Sequence, residues 1–185
     1  MSGRNTIIRS MHDVGLAAWF GGSLMGAVGL NGATAKAKDP AERLSLSSLG
    51  WAKWAPVQLA ALAIHGIGGV GLIYANKGRV LEQPDTKANT IVKAVLTIGA
   101  MGTTLYSAIV GSKMAKHADE GASGVTEPSH GSSKELQSAQ KQQKALQWLI
   151  PVLTFVLVVL AAQQGEQQRP VEGILRSKIA KLTGK

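Results

Sequence analysis

The chain has 185 residues, 45% of them apolar, no cysteine and a formal net charge of +9. Without cysteine it can form no disulfide, thiolate metal site or thiol nucleophile. The basic balance does not point to nucleic acid, because Lys and Arg are spread over every polar segment with no aromatic-interleaved patch; that spread suits contact with anionic lipid at a membrane surface.

Where the charges are absent sets the class. Residues 14–35, 55–76, 94–112 and 145–165 carry no charged side chain. Each stretch matches the roughly 20 residues that take a helix across a hydrocarbon core of about 30 Å. The helices of a soluble four-helix bundle, the alternative, show outward charges every turn or so. The expected fold is therefore all-α: an integral membrane four-helix bundle over residues 1–165. Its spans are expected at 11–33, 55–76, 91–112 and 145–164, with a basic amphipathic tail at 166–185.

Span one follows Arg4 and Arg9 and precedes Ala33-Thr34-Ala35 and Ala35-Lys36-Ala37, so a cleaved signal peptide is a second reading that would leave three spans. Its apolar core is longer than a usual signal core and opens with His12 and Asp13, which favours a retained helix. His12, Gly15, Trp19, Gly22, Gly26 and Gly29 recur at intervals of three and four and so share one stripe. Small residues such as Gly22 and Gly26 let membrane helices approach closely where lipid supplies no hydrophobic drive.

Asp39-Pro40-Ala41-Glu42 is a helix start, with a capping residue, a first-turn proline and a carboxylate three residues on. A short interfacial helix is expected there, its apolar side formed by Leu44, Leu46 and Leu49, with Trp51 and Trp54 at headgroup level. Trp148 is expected to play the same part for span four. Span two places Gln58, Ala61, His65, Gly68 and Leu72 on one stripe, with Gly69 one turn from His65. Residues 77–93 read as a polar hairpin turning at Pro84-Asp85.

Span three offers Ala94, Thr97, Met101, Thr104 and Ala108 on one face. Residues 113–132, rich in Gly, Ser, Glu and His without apolar periodicity, read as a mobile loop. Ser132 is then expected to cap a helix with Glu135 as reciprocal partner, and that helix continues into span four beyond the bilayer edge until Pro151 perturbs it. In the tail, Val171, Ile174, Leu175, Ile179 and Leu182 share a face while Arg176, Lys178 and Lys181 lie elsewhere, which suits an anionic membrane surface or a partner helix. Eleven Lys and Arg fall on the side of the termini against nine on the other, which leans toward both termini in the cytoplasm.

Polar groups inside a bilayer are functional hypotheses by default. His65 lies near the centre of its span, where it can be a structural histidine bonded to a threonine or carbonyl, a haem or metal ligand, or a ligand-binding or proton-relay group. His12 falls about 13 Å from the midplane by helix rise. The two histidines are thus expected at different depths, which opposes a single haem or metal held by both. The polar intramembrane set is His12, Asp13, Gln58, His65, Tyr74 and Lys93, with Asn76, Gln163 and Gln164 nearby, anchoring helix ends or lining a small-ligand cavity. No catalytic motif is present, and His117 and His130 lack metal-ligand spacing, so no metal site is expected. Carboxylates are absent from the charge-free stretches, which disfavours a proton-driven transporter.

The stretch HDVGLAAWFGGSLMGAVGLN at 12–31, with GWAKWAPVQL at 50–59 and ANKGRV at 75–80, resembles a family of small, functionally unassigned four-helix membrane proteins of actinobacteria. That resemblance implies a bacterial cytoplasmic membrane. The spacing from His12 to Trp19-Phe20-Gly21-Gly22 is more distantly similar to the membrane domains of the copper-resistance D type and the J-type protoporphyrinogen oxidase. In the oxidase the corresponding histidine is a haem ligand, which makes His12 a candidate, although the Arg-rich continuation is missing.

The leading expectation is a non-enzymatic accessory or scaffold subunit of the bacterial cytoplasmic membrane, packing through its glycine faces against other membrane subunits or a second copy. The rival is a haem- or quinone-linked oxidoreductase using His12 or His65, with haem b as its cofactor. A small-solute channel or carrier past Gln58 and His65 is third.

Overall fold

The computed structural model describes residues 5–82 and 84–167, so the amphipathic tail expected at 166–185 lies almost wholly outside the described residues. The chain is all-α in its main elements. Helix α1 is Thr6–Thr34, α2 is Pro40–Ala75, α3 is Lys77–Glu82, α4 is Pro84–Lys116 and α5 is Lys134–Gln167. Helices α1, α2, α4 and α5 are long and apolar enough to cross a membrane. Helix α1 packs on α2 and α5, and α4 on α5 and α2, with successive long helices running in opposite directions. The start of α1, the end of α2, the start of α4 and the end of α5 therefore share one end.

Helices α2, α4 and α5 contain 36, 33 and 34 residues. At about 1.5 Å per residue they reach roughly 50 Å, well beyond a hydrocarbon core of about 30 Å. The core is accordingly double. One cluster lies within the apolar stretches, around Leu16, Trp19, Ala61, Ala100 and Leu157. The other, around Leu44, Val110, Met114, Ala122, Val125 and Leu136, packs the far ends of α2, α4 and α5 against the chain that joins α4 to α5.

That joining chain departs from the loop expected at 113–132. Helix α4 runs on to Lys116, a tight turn follows at Ala118–Glu120, and β1 (Ala122–Gly124) pairs with β2 (Glu127–Pro128) as an antiparallel hairpin. Ala122 and Val125 are buried. The hairpin is held by side chains from distant helices. Arg43 on α2 donates to the carbonyls of Ala37, Ala122 and Ser123, and Gln140 on α5 donates through Nε2 to those of Gly124 and Val125. Local periodicity cannot reveal bonds of this kind.

Other local expectations shift as well. Asp39 does cap α2, accepting the Ala41 N–H at 2.9 Å, but no separate interfacial helix precedes span two, because α2 continues unbroken through Pro56. Residues 77–93 form α3 and the start of α4 rather than a hairpin; Pro84 opens the helix, a position for which its fixed φ is suited. Helix α5 also runs straight through Pro151. Its cap is Ser133, not Ser132: the Ser133 hydroxyl accepts the Leu136 N–H at 3.2 Å. The reciprocal carboxylate is Glu120 rather than Glu135, and it accepts the Ser133 N–H at 2.6 Å.

Helix α1 contains one wide turn at Gly26–Leu30, closed by the Asn31 N–H bonding to the Gly26 carbonyl five residues back. This added residue rotates everything beyond it. Gly29 consequently leaves the glycine stripe and is exposed, touching its own helix at Met25. Gly22 and Gly26 stay on the stripe, but they face the indoles of Trp54 and Trp51 instead of a backbone. Both tryptophans thus turn inward from the expected headgroup position, filling the space two missing side chains leave, whereas Trp148 is exposed. Closest of all are Gly15 and Gly68. A Cβ added at Gly15 would lie 2.6 Å from the backbone N of His65, and one at Gly68 would lie 2.5 Å from that of His12.

Two outcomes follow from these contacts. Gly15→Ala and Gly68→Ala each force α1 and α2 apart and lower stability by about 1–3 kcal/mol, read as thermal unfolding in detergent. Gly99→Ala and Gly102→Ala, which meet open space, leave it unchanged or raise it by up to about 1 kcal/mol. Separately, the bond from the Ser133 N–H, aided by His117, holds the Glu120 carboxyl below the usual carboxylate range. A depressed folded value means the cap's contribution is complete above the unfolded glutamate value and is lost as pH falls through the folded one. The Ser133 amide proton should therefore titrate with a midpoint below about 4.3, and Glu120→Gln should abolish that titration.

Candidate functional site

The glycine contacts on α1 and α2 bring His12 and His65 together. Each glycine sits beneath the histidine of the other helix, so the two imidazoles meet with ring centroids 4.2 Å apart and a 38° tilt. The Trp19 indole stands edge-on to His65 at 5.9 Å. His12 and His65 are 7% and 2% exposed. The expected difference in depth is thus overturned. Charge-free stretches mark where charges are missing, not where helices are level: Ile8, before the stretch begins, already packs on Gly71 of α2.

Hydrogen bonds fix the state of both rings. His65 Nδ1 lies 2.9 Å from the His12 carbonyl, which can only accept, so Nδ1 carries the proton. His12 Nδ1 lies 2.9 Å from the Asp13 carboxylate and donates likewise. When the rings are neutral, each Nε2 is a bare acceptor. No side chain or carbonyl among the described residues bonds to either Nε2. Trp19 is fixed in turn, its Nε1 donating at 3.1 Å to the Thr104 hydroxyl, which donates to the Ala100 carbonyl.

Beside the pair lies a cavity of about 660 Å³ among the ends of all four long helices. His12 and His65 line it together with the charged Arg9, Asp13 and Lys93, and Leu16, Ile73, Met101 and Val158 form apolar wall. Of the expected polar set, His12, Asp13, His65 and Lys93 come together here, joined by Asn76. Gln58 and Tyr74 do not. The Gln58 carbonyl oxygen is held by Trp54 Nε1 at 2.8 Å, away from the cavity, because Trp54 turns inward onto Gly22. Tyr74 points outward with the Lys77 ammonium 5.1 Å over its ring. Of the two glutamines ending span four, Gln163 is exposed, and the Gln164 side chain lies outside the described ones. Gly69 makes ordinary contact with His12, at 3.6 Å from Cδ2.

Arg9, a candidate partner of Asp13 by its place in the sequence, also lines the cavity, and so does Thr90, which lies outside the expected set. The signal was available: Arg9 is three and four residues before His12 and Asp13, and Thr90, Lys93 and Thr97 repeat the same spacing on α4. A second polar group lies nearer the hairpin. Asn31 donates to the Gln147 carbonyl oxygen and accepts from the Ser47 hydroxyl and Trp51 Nε1. Through these three bonds it fastens three helices.

No protein-family model, curated protein or solved structure matches the chain. A haem held by His12 and His65 together can be weighed on the placement of the two rings. Two axial imidazoles stand on opposite sides of one iron, which with metal–nitrogen bonds of about 2 Å puts their centroids roughly 6 Å apart. Side-by-side rings at 4.2 Å do not fit that arrangement. No group of three metal-ligating side chains occurs among the described residues. Haem added to the purified protein should accordingly give no low-spin bis-histidine absorption spectrum; such a spectrum, lost in both His12→Ala and His65→Ala, would contradict this geometry.

Proposed function

We propose that the chain is an integral membrane protein that holds a small, largely apolar molecule among its helices, with the polar end of that molecule against His12 and His65. Membrane insertion is supported by the four long apolar helices and by the side chains they turn outward. Val14, Val28, Ile67, Val95, Val152 and Phe155 are all exposed. An apolar girdle of this extent suits lipid and would be a liability in water. The far ends of α2, α4 and α5, with the hairpin, would then stand in the aqueous phase. Both ends of the bundle chain would face the opposite side, the cytoplasm by the balance of basic residues.

One observation carries the binding reading: two buried imidazoles present unpartnered Nε2 atoms beside a cavity of about 660 Å³ with mainly apolar walls. Few convergent polar groups in an apolar cleft of a few hundred Å³ are the usual make-up of a small-molecule site. The accessory-subunit reading has less support, since Gly15, Gly22, Gly26 and Gly68 are covered within the chain and present no face to a partner.

Two measurements test the proposal. The protein should resist extraction from membranes by alkaline carbonate. In nanodiscs it should bind tritiated decylbenzene, and Ala161→Phe, which fills the cavity, should weaken that binding at least about tenfold without lowering the melting temperature. The exposed Trp148→Phe should change neither. Carbonate extraction, or binding indifferent to Ala161→Phe, would overturn it.

A further inference from the structure

We infer that the molecule this cavity selects carries hydroxyl donors on an aromatic ring, the chemistry of a lipid-soluble quinol, and that His12 and His65 accept hydrogen bonds from it through Nε2. The inference rests on the cavity being a binding site, as proposed above, and adds which chemistry it takes.

The Nδ1 bonds decide it. Because the Asp13 carboxylate and the His12 carbonyl both consume Nδ1 protons, the two neutral rings turn lone pairs, not N–H groups, toward a ligand. At these two nitrogens a quinone carbonyl or an anionic oxygen would bring lone pairs against lone pairs. A hydroxyl brings the missing proton. A bare metal cation would also suit two imine nitrogens, but no group of three metal-ligating side chains occurs among the described residues to hold one.

The burial is what makes the match selective. Both histidines are more than nine-tenths buried, so an Nε2 covered there by a ligand that offers no donor is left unpaired at a cost. A site built to bond a hydroxyl rejects an analogue lacking it far more strongly than an apolar pocket rejects a missing methylene. Leu16, Ile73, Met101 and Val158 supply apolar wall for the ring and the first part of a hydrocarbon tail.

The test compares three probes of one size in nanodiscs under anaerobic conditions: decylhydroquinone, decylbenzoquinone and decylbenzene. The hydroquinone should bind at least about tenfold more tightly than either of the others. His12→Asn and His65→Asn keep an amide N–H near the Nδ1 position while removing Nε2. Each should cut the hydroquinone preference about tenfold and leave decylbenzene affinity within about twofold. Equal or tighter binding of the quinone would overturn the inference, while decylbenzene binding that remains sensitive to Ala161→Phe would leave the pocket reading standing. Failure of all three probes to bind would overturn both. The wild-type comparison alone decides the matter if either variant fails to fold.

Discussion

The close passage of α1 over α2 governs the rest of the molecule. At Gly15 and Gly68 the two backbones come near enough that neither position has room for a methyl group. Between membrane helices, packing contact and polar bonds must supply the cohesion that the hydrophobic effect supplies in water. Here one crossing supplies both: the glycines admit the approach, and the approach lets His65 reach the carbonyl of His12 across the interface. A bulkier residue at either glycine would remove the contact and the bond together.

From that crossing the bundle divides into two ends with different solutions to burying polar groups. Near the hairpin, Asn31, Ser47, Trp51 and Gln147 satisfy one another, and Arg43 and Gln140 bind the hairpin's carbonyls. At the opposite end His12 and His65 satisfy one nitrogen each and leave the other toward a cavity. Closed polar networks make a fold specific, whereas acceptors left over in a buried place call for a partner from outside. Unpaired atoms alone do not separate the two ends, because Gln140 Oε1 near the hairpin also lies buried without a partner; what marks the histidines is the cavity beside them.

The four long helices and the stripe from His12 to Gly26 are readable from spacing, because helical periodicity and the absence of charge are local properties. What could not be read depended on relations between distant segments. The depth of His12 is not legible from its uncharged stretch, because Arg9 and Asp13 before and at its start sit beside a cavity that receives their charges. The hairpin escaped because its order comes from Arg43 and Gln140, far away in sequence. Trp51 and Trp54 carried the composition of an interfacial belt, yet two glycine notches on α1 drew them inward. Gln58 followed Trp54 and so left the site.

The single wide turn at Gly26–Leu30 has a consequence for how the two ends relate. It acts as a phase shifter in α1: the residues before it are keyed to α2 at the histidines, and Asn31 after it is keyed to Ser47 and Trp51 of α2 and to Gln147 of α5. With one residue in surplus, Asn31 is turned about 100° from where an unbroken 3.6-residue winding would place it. Asn31 and His12 therefore need not share a register, and the cavity and the hairpin end can each accept sequence change without rotating the other out of place.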